Sequence, residues 1–140
     1  MYMYQWDNNE KVAGRLFNIA EEAGNDPGLK DGAERAAIGR LYYACYNMAN
    51  DIVLNHFTYR RDIPPFNGGS HERTINALSS CPTDGCSEEE IAKIIDELID
   101  LKGYRRHADY DKRRPISEDE IKIAKELYES LRLKLFNFYR

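Results

Sequence analysis

The chain has 140 residues, 42% of them apolar and 31% charged, which fits one globular domain spanning residues 1–140 and excludes collagen-like and disordered compositions. No apolar run is long enough to cross a membrane, and Met1 to Asn8 has neither the basic patch nor the apolar core of a secretory signal, so a soluble, cytoplasmic protein is expected. Twenty-four acidic against twenty basic side chains leave a net charge of -4, so contact with nucleic acid has to come from a local basic cluster.

Four pairs match the spacing of a helix-capping acceptor and a Glu three residues on: Asp7/Glu10, Asp31/Glu34, Ser87/Glu90 and Ser117/Glu120. The first opens a helix over about 7–24 with Val12, Leu16, Ile19 and Ala23 at helical spacing, ended by the run Gly24 to Gly28. The second opens a long helix from Asp31 to about Tyr59 with Ala37, Leu41, Ala44, Met48 and Ile52 on one face. Pro64, Pro65, Gly68 and Gly69 stop it, and Ser70 can cap a short helix through Ile75 and Leu78 that ends before Pro82. The fourth helix carries Ile91, Ile94, Leu98 and Leu101, with a kink or break expected at Gly103. The last repeats Ile121, Ala124, Tyr128, Leu131, Leu135 and Phe138. No alternating run of β-branched residues survives between turn signals, so the expected fold is all-α. Short connections favour an up-and-down bundle of four main helices plus one short helix.

Two segments stand out chemically. Asp100 to Pro115 reads DLKGYRRHADYDKRRP, with net charge +3 in an acidic chain and with Tyr104, His107 and Tyr110 interleaved. That mixture suits phosphate contact and base stacking, and it equally suits a solvated helix end whose cations oppose the dipole. In AAIGRLYYACYNMA, Arg40, Tyr43 and Asn47 fall at i, i+3 and i+7, one face of a helix. They line a pocket facing the basic segment or serve as packing tyrosines with a paired arginine.

The remaining motifs are mostly exclusions. His56, His71 and His107 form no HExxH or ExxH pair, so no metal site and no cofactor are expected. There is no Walker-type loop and no GxSxG elbow. Cys81 and Cys86 enclose PTDG, a turn short enough to bring two thiols together, while Cys45 reads as a small core residue.

GRLYYACYNMA and RRHADYD, with Ser70 and His71 between them, resemble in order and type the small stand-alone prokaryotic branch of the HEPN domains (higher eukaryotes and prokaryotes nucleotide-binding). The resemblance spans most of residues 5–138. It implies a helical bundle that dimerises and belongs to a prokaryotic toxin-antitoxin or defence system. Two readings follow: a metal-independent endoribonuclease acting on RNA as a dimer, or a noncatalytic nucleotide- or partner-binding module paired with a nucleotidyltransferase. The ribonuclease pattern of the family is Arg, four to six residues, then His-x-Tyr. With Tyr110 aligned to its tyrosine, Ala108 stands at the histidine position and His107 lies one residue early.

Cleavage of RNA by its own 2'-hydroxyl needs a proton acceptor and donor near neutral pH and a cation on the developing phosphorane. Arg105 and Arg106 are the cation candidates, and His107, His71 and Asp109 the acid-base candidates. Arg40, Tyr43, Asn47 and Tyr110 are the candidates for nucleotide or RNA binding. The resemblance further implies that a partner nucleotidyltransferase silences the toxin by attaching AMP to the motif tyrosine, here Tyr110. The apolar residues Ile123, Leu127, Leu133 and Phe136 beside the main seam of the last helix are expected to form the dimer contact.

Overall fold

The computed structural model describes residues 6–65, 68–81 and 86–139. Five α-helices carry the chain: α1 (Trp6–Glu22), α2 (Pro27–Phe57), α3 (Ser70–Asn76), α4 (Glu88–Tyr110) and α5 (Glu118–Tyr139). Short 3-10 turns occupy Arg60–Asp62 and Ala77–Ser80, and no strand occurs among the described residues.

The 31-residue α2 is the axis of the structure and packs against α1, α3, α4 and α5. Its buried face includes Ala37, Leu41, Ala44, Met48 and Ile52, as the spacing predicts. Ile91, Ile94, Leu98 and Leu101 of α4 and all six expected positions of α5 close the same core. Helix α4 runs unbroken through Gly103.

Several expected boundaries move for local reasons. Helix α2 begins at Pro27, not Asp31, because the Asp26 side chain accepts from the Leu29 N–H and Pro27 has its φ pre-set for a first turn. Asp7 lies inside α1 and pairs with Lys11 at 3.5 Å. Gly69, not Ser70, occupies the position before α3. Ser87 and Ser117 do cap, each accepting from the Glu N–H three residues on at 3.1 Å. At the other end of α2 the chain leaves through Thr58 at φ 65°, ψ -47°, where the Tyr59 N–H donates to the Phe57 carbonyl at 2.7 Å. This is a tight γ-turn that stops the helix two residues earlier than expected.

The expected face of α1 is also rotated. Val12 and Ile19 are exposed, whereas Asn9, Ala13 and Ala20 are buried. Small residues at 13 and 20 let α1 approach α2 closely, and that contact outweighs the larger apolar residues of the neighbouring stripe. Cys81 and Cys86 are free thiols, as is Cys45. The Cys81 thiol donates to the Ala77 carbonyl at 3.4 Å in place of a disulfide.

The expected cap residue Asp31 has a different role. It sits in the second turn of α2 and holds Arg35 by an Nε to Oδ2 contact of 2.7 Å, while its Oδ1 accepts from the Ile116 N–H at 2.8 Å. The buried Arg35 reaches the end of α4. Its Nη1 donates to the carbonyls of Ala108 at 2.9 Å and Asp111 at 2.6 Å, and its Nη2 donates to that of Arg114. One guanidinium thus satisfies carbonyls that a helix end leaves without intrahelical partners. Burial alone would push the Asp31 carboxyl up, but the bonds from Arg35 and Ile116 outweigh it and hold it below the ordinary range. Because the folded value is depressed, this contribution is present above the unfolded value of about 3.9 and is lost as pH falls through the folded one.

Replacing Arg35 by Ala strands a half-buried carboxylate and several carbonyls, so Arg35→Ala should cost about 3 kcal/mol of unfolding free energy. Arg113→Ala, which removes an exposed, solvent-screened pair with Asp111, should cost far less. Urea unfolding of the two variants checks this. Equal losses would contradict the role given to Arg35.

Candidate functional site

Helices α2, α3 and α4 meet around a cleft of about 350 Å³ lined by Tyr43, Gly69, Ser70, His71, Lys102, Arg105, Arg106 and Tyr110. Five of the residues singled out from the sequence come together here: Tyr43, His71, Arg105, Arg106 and Tyr110. They come from three helices separated by up to 67 positions, and each arrives for a local reason. Tyr43 follows the buried Tyr42 on α2 and emerges at the rim. Ser70 and His71 open α3 directly after the Gly68–Gly69 turn. Arg105, Arg106 and Tyr110 lie on the last two turns of α4.

His71 is embedded in a ring cluster. Its ring stacks on Tyr46 with centroids 4.1 Å apart, lies 5.9 Å from Tyr42 and meets Tyr43 edge-on at 6.0 Å. The Tyr42 hydroxyl is 2.9 Å from His71 Nδ1. Tyr42 is fully buried and burial pushes its pKa up, so the phenol keeps its proton. We assign Tyr42 as the donor to Nδ1, which puts the proton of the neutral ring on Nε2. Burial first, then the cations Arg105, Lys102 and Arg60, hold the His71 pKa below its ordinary value of 6.5. The cleft therefore contains a neutral imidazole near neutral pH, with Nδ1 anchored from behind.

Arg105 is the buried cation of the site. Its guanidinium lies 5.3 and 5.4 Å from the ring centroids of Tyr42 and Tyr43, and its Nη1 is 3.5 Å from Asp109 Oδ2. Arg106 and Tyr110 are exposed, Tyr110 at 73%. Its hydroxyl is thus not that of a packed core residue.

The other expected site residues lie elsewhere. Arg40 turns toward α1, where its Nη1 donates to Asn9 Oδ1 at 3.3 Å. Asn47 is half-buried one turn beyond Tyr43, and neither it nor Arg40 lines the cleft. A shared helical face does not keep the three together, because Arg40 reaches across to α1 while Tyr43 meets His71 of α3. Asp109 pairs with Arg105 behind the rim.

His107 does not line this cleft and is held toward α5. Its Nδ1 is 3.2 Å from Asp111 Oδ2, and its Nε2 is 3.2 Å from Glu120 Oε2, within ion-pair range though off hydrogen-bond alignment. Glu120 also takes Arg114 and the Ser117 hydroxyl. Burial would raise the Glu120 carboxyl, yet those bonds from Arg114 and Ser117 bring it below its ordinary value. His107 thus belongs to the α4–α5 junction.

Sequence reasoning missed Tyr42 and Tyr46 and left Lys102 as one of six cations in the basic segment. The signal for the tyrosines was present, since Tyr42 and Tyr46 stand at i, i+4 and share the face that meets α3. No group of three or more His, Cys, Asp or Glu side chains is placed to hold a metal ion among the described residues. Likewise, no described helix is long and apolar enough to cross a membrane. No family model, curated protein or solved structure matches the chain.

The geometry of His71 has a measurable consequence. Its imidazole should titrate below 6.5 by NMR, and Tyr42→Phe, which removes the bond favouring the neutral ring, should move the midpoint upward. A depressed histidine adds stability that is full above the unfolded pKa and is lost as pH falls below it. An unchanged midpoint in Tyr42→Phe would contradict the assignment of the donor.

Proposed function

We propose that this chain is the HEPN-like component of a prokaryotic toxin-antitoxin or defence system, and that it acts on single-stranded RNA at the cleft between α2, α3 and α4. The observation that carries the reading is the convergence of Tyr43, His71, Arg105, Arg106 and Tyr110 from three helices on one concavity. Cations meet phosphate there, exposed rings offer stacking faces, and a neutral imidazole supplies one further hydrogen-bond donor. In this scheme His71, whose Nδ1 is taken by Tyr42, offers its Nε2–H to a phosphate oxygen, and Arg106 is the mobile cation that meets developing charge on the phosphorane. The up-and-down order of the four long helices and a cytoplasmic location are parts of the same reading.

A dimer fits the exposed apolar residues Ile123, Leu133 and Phe136 of α5, which are 41, 58 and 39% exposed, because exposed apolar surface favours burial against a partner. Tyr110, at the exposed end of α4, is the proposed acceptor of AMP from a partner nucleotidyltransferase. The added phosphate would repel and block RNA at the rim.

The second reading, a noncatalytic nucleotide- or partner-binding module, is favoured by one observation: His107 is engaged by Asp111 and Glu120 outside the cleft. Purified protein should bind a short single-stranded RNA in fluorescence anisotropy and cleave it equally with and without EDTA. Arg106→Ala should lower cleavage by about 100-fold and reduce the salt slope of binding by roughly 0.7 per lost phosphate contact. RNA bound but left intact would select the binding module. RNA neither bound nor cut would contradict the RNA reading.

A further inference from the structure

Two cations at the wall of the cleft are tied to carboxylates that do not line it. Lys102 Nζ lies 3.1 Å from Glu72 Oε1, and Arg105 Nη1 lies 3.5 Å from Asp109 Oδ2. The cation side chains are only 12 and 10% exposed, whereas those of Glu72 and Asp109 are 36 and 40% exposed. Buried cations are therefore paired with carboxylates that water can readily take over.

Compensation of Arg105 is incomplete. Its Nε is buried and has no hydrogen-bond partner. The carboxylate contact of 3.5 Å is longer than the roughly 2.7–2.9 Å of a strong charge-assisted bond. Its other neighbours of note are the faces of Tyr42 and Tyr43, which attract a cation but accept no strong hydrogen bond. A guanidinium nine-tenths removed from water is costly unless oxygens replace its hydration. The second carboxylate is held by the backbone: Gly68 adopts φ +103°, and a Cβ there would collide with the Glu72 carboxylate. Glycine at this position leaves room for Glu72 to sit over the turn and reach Lys102.

We propose that the cleft contains a seat for one phosphate group, built on Lys102 and Arg105, and that Glu72 and Asp109 act as a latch whose carboxylates neutralise these cations until a phosphate displaces them. This rests on the reading of the cleft as phosphate-facing and adds how its charge is controlled. A phosphate brings oxygens that can bridge both cations, whereas each carboxylate serves one. Arg106 and His71 border the same space, and Tyr43, 36% exposed, offers a face for the attached base. A volume of about 350 Å³ suits a single nucleotide unit. The group is either the terminal phosphate of a mononucleotide or an internal phosphate of an RNA strand. The two share the chemistry that the seat reads.

Titration calorimetry with inorganic phosphate, AMP and a uridine trinucleotide lacking a terminal phosphate tests the proposal. Glu72→Gln and Asp109→Asn should each tighten binding several-fold, and Lys102→Met should weaken it by about tenfold, the effect of losing one charge-assisted contact. A gain of affinity cannot arise from misfolding, so the two acid variants carry the test even if a cation variant folds poorly. AMP bound more tightly than the trinucleotide assigns the seat to a terminal phosphate, and the reverse order assigns it to an internal one. If neither acid variant tightens any of the three, the latch is overturned. Tightened AMP binding in a protein that neither binds nor cuts single-stranded RNA would leave the seat standing and remove the RNA reading. RNA binding that depends on Arg106 but is indifferent to Glu72 and Asp109 would do the opposite.

Discussion

The structure depends on one buried guanidinium. Arg35, fixed by Asp31 one turn earlier on α2, donates to carbonyls at the end of α4 and in the turn that leads to α5. The same Asp31 takes the backbone N–H of Ile116 just before α5 begins. Two side chains on α2 therefore set the axial position of α4 and the starting point of α5. Ala108, whose carbonyl Arg35 holds, is three residues from Arg105, less than one turn of helix. Tyr42 is seven residues from Arg35, two turns along α2. A clasp at this end of α4 thereby fixes how the Arg105 guanidinium, less than one turn away, meets the rings of Tyr42 and Tyr43. Hydrophobic burial along α2 would tolerate a sliding α4; directed hydrogen bonds to specific carbonyls do not.

The basic segment divides between two tasks. Arg113 and Arg114 pair with Asp111 and Glu120, and His107 lies between the same two acids. These contacts secure the junction of α4 and α5. Lys102, Arg105 and Arg106 face the cleft. The local excess of positive charge is thus partly consumed as structure, which explains how a chain of net charge -4 carries such a segment without presenting a uniformly basic surface. What is left for a ligand is a small, focused set of cations beside a neutral imidazole.

The helical class and the core faces of α2, α4 and α5 were legible because each depends on periodicity within one segment. The face of α1 was not: Val12 and Ile19 are larger and more apolar than Ala13 and Ala20, and only the close approach to α2 explains why the small residues are inside. Asp31 and Arg35 were visible as an i, i+4 pair, but their targets are backbone carbonyls more than 70 residues away, which no side-chain pattern records. In the cleft, Tyr43, His71, Arg105, Arg106 and Tyr110 were named from sequence, while Arg40 and Asn47 were grouped with them by helical spacing alone. Spacing says which residues share a face but not where one neighbouring helix stops covering it. His107 was similarly ambiguous, because a residue adjacent to Arg106 points about 100° away on a helix, and here that direction leads to α5.

In the proposed function, nucleic-acid phosphate is met by the α2–α3–α4 cleft and not by the apolar groove between α4 and α5. That larger groove, about 600 Å³ between α4 and α5, is lined by Ile99, Tyr104, Ile123 and Leu127 with His107, Arg114 and Glu120 at its polar end. Backbone NMR shift mapping with a short single-stranded oligoribonucleotide separates the two directly. Perturbations should be confined to residues around Tyr43, Ser70, His71, Lys102, Arg105, Arg106 and Tyr110. Perturbations centred on Ile99, Ile123 and Leu127, or none at saturating oligonucleotide, would contradict it.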